Sequence, residues 1–570
     1  MRKTLLASLL LFFNTFAFAQ INLSGTINQY AKVSNIDYCA KTLTVVDATG
    51  FAPGTDIIII QMQGALINTL DNASFGNIQD LRGTGLYERT RIQAIAGNVI
   101  SLEFALLNQY NLDGSVQIVS LPSYPNATVI DSIVAPAWDG NRGGVLALEV
   151  ADTLTLEGNI SVQGRGFRGG FANISQSNNC SFLTNQNDYY YGLNNWRGAA
   201  KGEGVALPTP GREAGRGAQA NGGGGGNDHN AGGGGGGNIS AGGNGGNNEE
   251  PNAFGCDGTF PGIGGKALPE LSERLYMGGG GGAGHENNDV GTNGACGGGV
   301  IILIAKNIKG NNHVIDARGM NVTEVTKGDG AGGGGSGGTV VIDVENIASQ
   351  FLVDARGGNG GSVDNNNENR CQGPGGGGGG GRVILPTSLP INILVIGGDA
   401  GRSFNSSAGS CPDGTNNAQP GNDGVIADFE AIPKSNSAST APLIVNQPQN
   451  LNACTGEALK LLVEASGAGL QFQWQVDQGA GFQNLSNNAT YSGANSAELT
   501  IANATPELTN YSFRLQINSI CGGPIFSDPI GLNIAASPTA QFDFGVDKNM
   551  VQFSNNSMNS AGFAWDFGDG

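Results

Sequence analysis

Runs of β-branched and aliphatic residues, broken by Gly, Pro and Asn, organise the amino-terminal region of the chain. Residues 43–46, 57–60, 99–102 and 116–119 are such runs, punctuated by Gly50, Pro53-Gly54 and Gly97-Asn98. Short apolar runs bounded by turn residues read as strands, so residues 20–142 are expected to form a β-rich unit. It passes into the next region through Ala135-Pro136-Ala137-Trp138-Asp139-Gly140, with no linker. Its expected role is to cap the first edge of a stack, because an open strand edge invites pairing with other chains.

Residues 143–434 carry one pattern four times. Gly143-Gly144-Val145-Leu146-Ala147-Leu148 leads to Ile160-Ser161-Val162 and Gly164-Arg165-Gly166. Gly298-Gly299-Val300-Ile301-Ile302 leads to Val314-Ile315-Asp316-Ala317-Arg318-Gly319, and Gly337-Gly338-Thr339-Val340-Val341 to Leu352-Val353-Asp354-Ala355-Arg356-Gly357. The fourth copy runs from Gly381-Arg382-Val383-Ile384-Leu385 to Ile393-Leu394-Val395-Ile396-Gly397-Gly398-Asp399. The second and third copies start 39 residues apart, and their Asp-Ala-Arg-Gly tetrads lie 38 apart. Each copy has strand-like runs and no helical periodicity, and cannot bury its apolar face alone; stacking on its neighbours does so. The expected fold is all-β, a right-handed parallel β-helix-like solenoid. A Greek-key sandwich with long loops is the alternative.

Glycine changes that picture most. Of 97 glycines, 74 lie between residues 141 and 430, in runs such as 222–226, 232–237, 278–282 and 375–381. Glycine brings no side chain to a core and loses the most backbone freedom on folding. Such runs are either flexible linkers or extended segments packed backbone to backbone. They fall between the strand pairs, where a solenoid takes insertions, the largest spanning residues 171–297. Ordered glycine would adopt the polyproline-type helix, with its amides bonded between segments; for residues 218–250 a disordered linker is the other option. The runs contain few of the Lys and Glu residues that solvate a disordered tail.

Lys and Arg total 28 against 47 Asp and Glu, a formal charge of −19. That field disfavours nucleic acid and anionic membranes as partners. Arg2 and Lys3, the apolar run 5–13 and Ala17-Phe18-Ala19 read as a secretory signal over residues 1–19. No later stretch has the length of apolar sequence that a membrane-spanning helix needs. Eight cysteines in an exported chain suggest disulfides. Two pairs share a spacing of 40 residues, Cys256 with Cys296 and Cys371 with Cys411, and each could staple an insertion to its coil. No C-x-x-C occurs and His229, His285 and His313 are far apart in sequence, which argues against zinc.

The body resembles glycine-rich surface proteins of the Bacteroidota, and its long glycine insertions are similar in kind to the polyglycine-helix region of the anaplastic lymphoma kinase receptor group. After a Ser- and Ala-rich linker at 435–442, residues 443–536 carry Cys454, Phe472-Gln473-Trp474-Gln475, Tyr491-Ser492-Gly493-Ala494, Leu499-Thr500-Ile501 and Cys521. This resembles the Ig-like domains of Bacteroidota surface proteins. The alternation around Trp474 places its indole inward on a strand, and the resemblance implies an intersheet Cys454–Cys521 disulfide. Residues 537–570 end in Phe563-Ala564-Trp565-Asp566-Phe567-Gly568-Asp569-Gly570 and resemble the opening half of a polycystic-kidney-disease (PKD) domain. The chain is therefore expected to be an amino-terminal fragment, with a type 9 secretion sorting domain among what would follow. Asp131-Ser132-Ile133 and Asp152-Thr153-Leu154 also resemble the O-glycosylation sequence of exported Bacteroidota proteins.

Solenoids of this kind host polysaccharide lyases and hydrolases, which work with carboxylates on adjacent rungs. Asp316 with Arg318 and Asp354 with Arg356 are the catalytic candidates on that view. Recurrence of the pair directly before glycine fits a ladder of turn and ion-pair contacts better, since the fourth copy has Ile396-Gly397-Gly398-Asp399 and the first has Gln163 and Arg165. Asp413, Asp423 and Asp428 are candidates for calcium, though no Asp-x-Asp-x-Asp-Gly loop is present. Tyr189, Tyr190, Tyr191 and Trp196 are a candidate patch for stacking on glycans, or else an anchor holding the insertion to the coil. The expectation is a non-enzymatic, secreted or cell-surface adhesin or scaffold, serving gliding or biofilm attachment. Its expected partners are extracellular polysaccharide or surface protein and the secretion machinery of the outer membrane. The alternative is a β-helix lyase or glycoside hydrolase with accessory Ig and PKD modules.

Overall fold

The computed structural model describes residues 20–172, 187–249, 258–287, 290–366, 371–386, 390–407, 411–437, 439–548 and 550–568. The expected signal segment, Cys256 and Gly570 lie outside the described residues. The chain is all-β and divides into two compact units. The first comprises residues up to Asn35, Leu43–Ile100 and Tyr110–Pro433; the second comprises Ile36–Thr42, Ser101–Gln109 and the chain from Lys434 onward.

Near the amino terminus, strands Tyr30–Asp37, Thr42–Val45, Val99–Leu102, Tyr87–Ala96, Asp56–Gln61 and Val116–Leu121 close into a barrel in that order. Asp56–Gln61 is buried along its whole length. Ile58 and Ile60 belong to the same apolar cluster as Val145, Ala147, Val300 and Ile302 of the neighbouring sheet.

That sheet is parallel and curled, with ten strands along one path. The four sequence repeats supply most of it, in register. Val145, Val300, Thr339 and Arg382 are successive partners on the long strands, and Ser161, Asp316, Asp354 and Leu394 on the short return strands. A further strand, Val425–Asp428, pairs with Arg382–Leu385 and was not foreseen. Ile21–Gly25 and Ala127–Val134, drawn from the amino-terminal region, belong to the same sheet. The long strands are apolar on both faces, as parallel strands buried on both sides must be. Leu146, Ile301, Val340 and Val383 face the return strands with Ile160, Ile315 and Val353. Val145, Val300, Val341 and Ile384 face a second cluster with Leu275, Tyr276 and Met277.

The glycine runs are packed, buried structure. Residues 232–237 show the rule. Their N–H groups donate in turn to the carbonyls of Gly246, Ala331, Gly224, Gly243, Gly334 and Asn221, at 2.7–2.9 Å. Their carbonyls accept in turn from the N–H groups of Gly262, Gly376, Gly282, Gly265, Gly379 and Gly279, at 2.8–2.9 Å. Partners repeat every third residue, the periodicity of the polyproline-type helix. Three neighbouring segments accept and three donate, so this run is ringed by six others with every backbone polar group bonded.

The requirement for glycine here is closeness of approach. The φ angles of residues 232–237 lie outside the left-handed region. A Cβ on Gly235 would instead land inside the Gly377 carbonyl, and one on Gly236 inside that of Gly279.

In the second unit, Gln471–Asp477 pairs antiparallel with Ser512–Ser519 and Phe482–Asn484, and Leu459–Leu462 pairs with Glu498–Ile501 in another sheet. Trp474 is fully buried among Leu461, Leu499, Phe513 and Leu515, and its Nε1 donates to the Ser496 carbonyl at 2.9 Å. Phe542–Asp547 and Met550–Asn555 form a hairpin that gathers Phe542, Phe553, Trp565 and Phe567.

The cysteine pairing differs from what the Ig-like resemblance implied. Cys521 is bonded to Cys39, and Cys454 is an exposed free thiol. The reason is register: on Leu451–Cys454 it is Ala453 that turns inward, which puts Cys454 on the outer face. Cys521 sits in the turn after Ser512–Ser519 rather than in the core. In the first unit Cys371 and Cys411 are bonded, whereas Cys296 is a free thiol.

Candidate functional site

Parallel register brings the two Asp-Ala-Arg-Gly tetrads together. Asp316 and Asp354 are direct partners on adjacent return strands, so their positions are about 4.8 Å apart. Both carboxylates are nearly buried. Each is gripped by the arginine two residues on: Arg318 Nε and Nη2 donate to Asp316 at 3.0 and 2.7 Å, and Arg356 Nε and Nη2 to Asp354 at 3.0 and 2.7 Å. Asp316 and Asp354 also accept the backbone N–H of Arg318 and Arg356. Hydrogen bonding to the aspartates raises the pKa of both guanidinium groups. A carboxylate occupied on both oxygens is poorly placed to take a proton from a substrate. The arrangement is a ladder of locked arginines.

The aromatic stretch is engaged by arginines within its own unit. Arg216 lies over the Tyr189 ring, Arg212 over Tyr190 and Arg197 over Trp196, with guanidinium carbons 5.3, 4.6 and 4.7 Å from the ring centroids. Tyr190 also meets Phe75, and Tyr191 is buried. Cation–π contact occupies a ring face that a sugar would need, so this geometry matches the anchor reading of the four residues. Nearby, Lys201 is buried, and its Nζ donates to the carbonyls of Tyr189, Gly215 and Gly217 at 2.7, 2.9 and 2.5 Å beneath the Phe75 ring. Burial draws the Lys201 pKa well below the ordinary lysine value; the three carbonyls and the ring compensate the charge.

Distance in sequence hid one polar cluster. His229 and His285 stand with ring centroids 6.4 Å apart, both buried beside Asp228. His285 Nε2 donates to the Trp196 carbonyl at 2.8 Å, and Nδ1 accepts the Asn230 N–H at 3.1 Å, so both nitrogens of this neutral ring are used. Asp228 lies 3.5 Å from Nε2. Burial pushes the Asp228 carboxyl up to about 7 and the His285 imidazole down to about 4. Between about pH 4 and 7 the pair is therefore a neutral acid beside a neutral base.

A pH signature follows. In the native protein the two shifts oppose each other: the folded pair holds its proton on Asp228, the unfolded chain holds it on His285. Asp228→Asn leaves only His285, whose folded pKa is depressed. Stability should then fall as pH falls from 6.5 to about 4, at roughly 1 kcal/mol per pH unit. His285→Gln leaves only Asp228, whose folded pKa is raised, and stability should fall as pH rises from 3.8 to about 7. Urea midpoints at several pH values check both slopes; two flat profiles would contradict the neutral pair.

The calcium candidates go separate ways. Asp413 pairs with Arg402 at 2.9 Å, Asp423 accepts the Gly397 N–H at 3.0 Å and Asp428 accepts the Phe429 N–H at 3.2 Å. Among the described residues no group of three or more His, Cys, Asp and Glu side chains is placed to hold a metal ion. Nor is any helix among them long and apolar enough to cross a membrane.

No protein-family model matches the chain, and no curated protein matches it. Among solved structures, the tandem Ig repeats of Dlar are 18% identical over 20% of this chain and 57% of that chain, with a TM-score of 0.15. The titin M3 domain is 21% identical over 17% of this chain and 98% of that chain, at 0.14. The titin I-band fragment I67-I69 is 16% identical over 18% of this chain and 36% of that chain, at 0.16. The chain thus spans little more than half of the Dlar fragment and about a third of the titin one. These are faint likenesses to Ig-like domains.

Proposed function

We propose that this chain belongs to an exported, cell-surface scaffold that works in adhesion. In this reading the parallel sheet is a β-helix-like solenoid with glycine insertions, followed by an Ig-like module and the start of a PKD-like one. The observation that carries it is the glycine body. A mass of mutually bonded backbone segments has few rotamers to lose and few apolar side chains to expose, which suits a stiff element held outside the cell. The Asp-Arg ladder supports the same reading, because its carboxylates are occupied by structural bonds. Attachment to extracellular polysaccharide or a surface protein, in gliding or biofilm growth, is the role that fits, with type 9 secretion as the export route.

The experiment coats beads with the full chain. It measures their retention on polysaccharide-covered surfaces beside product release from acidic and neutral polysaccharides. Retention without product release is the expected result. Product release that disappears in Asp316→Asn or Asp354→Asn would overturn the scaffold reading in favour of a lyase or hydrolase.

A further inference from the structure

Beside the Asp-Arg ladder, a surface groove of about 270 Å³ is lined by Gln163, Arg318, Asn321, Arg356, Asn359 and Asp399. These residues occupy equivalent positions on consecutive rungs. The return strands pair Ser161 with Asp316, Asp316 with Asp354 and Asp354 with Leu394, which aligns Gln163, Arg318, Arg356 and Ile396 in one row. A second row is fixed by side chains: Asn321 Oδ1 accepts the Asn359 N–H at 2.8 Å, and Asn359 Oδ1 accepts the Asp399 N–H at 2.9 Å.

These bonds decide what the groove offers. Each aspartate takes Nε and Nη2 of its arginine, leaving Nη1 of Arg318 and Arg356 unbonded among the described residues. The asparagines spend Oδ1 on the next rung and keep Nδ2 free. The groove therefore presents donors in two rows at the rung spacing of about 4.8 Å, with the exposed Asp399 carboxylate as an acceptor and the exposed Ile396 as an apolar surface. The guanidinium groups are held in place before any ligand arrives, so little rotamer entropy remains to be lost.

Charge selects the ligand class. Arg318 and Arg356 are each neutralised by a buried aspartate behind the groove, Asp316 and Asp354, which leaves Asp399 as the charge of the lining outside an ion pair, on a chain of formal charge −19. An anionic polymer is disfavoured, whereas hydroxyl and ring oxygens can accept from Nη1 and Nδ2 at no Coulombic cost. A hexose in an extended chain advances by roughly one rung spacing. We propose that this groove binds a neutral polysaccharide lying along the stacking direction, one sugar to each rung. The proposal rests on the adhesive reading and places its contact surface on the ladder, away from the aromatic stretch.

The test uses the full chain, with neutral hexaoses of α- and β-linked glucan, mannan and xylan, and polygalacturonate as the acidic probe. Asn321→Asp with Asn359→Asp keeps both acceptors that hold the rungs and removes both Nδ2 donors. Arg318→Lys with Arg356→Lys keeps a cation beside each aspartate and removes Nη1. Calorimetric binding of at least one neutral hexaose is expected, weakened at least tenfold in each double variant, with thermal unfolding of the variants near that of the parent. No neutral binding, preference for polygalacturonate, or binding unchanged in both variants would overturn the groove. If coated beads still adhere when both double variants are combined, the groove fails while the scaffold reading stands. If beads of the parent chain do not adhere, it is the scaffold reading that fails.

Discussion

Gly235→Ala is expected to destabilise the first unit by about 3 kcal/mol or more, the upper end of what overpacking a core costs. The added Cβ would overlap the Gly377 carbonyl and come within 2.9 Å of Gly378 N. Those atoms are backbone in a bonded segment, so no side chain can rotate out of the way. A shift of residues 232–237 to make room would stretch the bonds that Gly235 exchanges with Gly243 and Gly265, at 2.9 and 2.8 Å, together with those of its neighbours. Gly192→Ala is the matched control, since its Cβ would meet nothing nearer than 3.8 Å. It should leave the urea midpoint nearly unchanged. Equal midpoints for the two variants would show that the glycine segments are not packed as described.

Lys201→Met should cost a similar amount for a different reason. Methionine matches the length of the lysine stem, so the change removes the ammonium and leaves little cavity. The carbonyls of Tyr189, Gly215 and Gly217 then lose a buried donor. An unpaired buried polar group costs about 1–3 kcal/mol, so a total loss of about 3 kcal/mol or more is expected by chemical denaturation. A loss below about 1 kcal/mol would mean that the charge was as costly to bury as its bonds were worth.

The repeats were legible because equivalent rungs make equivalent demands. A position facing the core must be apolar on every rung, and a position at the same turn tends to keep the same polar pair. Hence the Asp-Ala-Arg-Gly tetrads of residues 316–319 and 354–357 gave the register that the strands adopt. Val425–Asp428 was missed because it ends the stack: its run is short, and no tetrad follows it. The Cys454–Cys521 pairing failed because Cys454 faces outward on its strand and Cys521 lies in a turn, which spacing along the chain cannot resolve. The aromatic stretch looked available because Arg212 and Arg216 reach Tyr190 and Tyr189 only in three dimensions. His229 and His285 looked unrelated because the segments that carry them meet only through the glycine packing.

The order of residues alone settles the all-β class, the repeat and its register, the inward Trp474 and the concentration of glycine between rungs. These follow from local rules: alternation, turn chemistry and the need of each repeat for a neighbour. Whether the glycine is order or slack is settled in three dimensions. A glycine run has no side-chain pattern to mark a buried face, so its state depends on whether other backbones stand close enough to bond every amide. Six segments around residues 232–237 do so. The same holds for the Asp-Arg ladder: sequence placed Asp and Arg together, and the bonds within and between rungs showed which of their atoms remain free to meet a ligand.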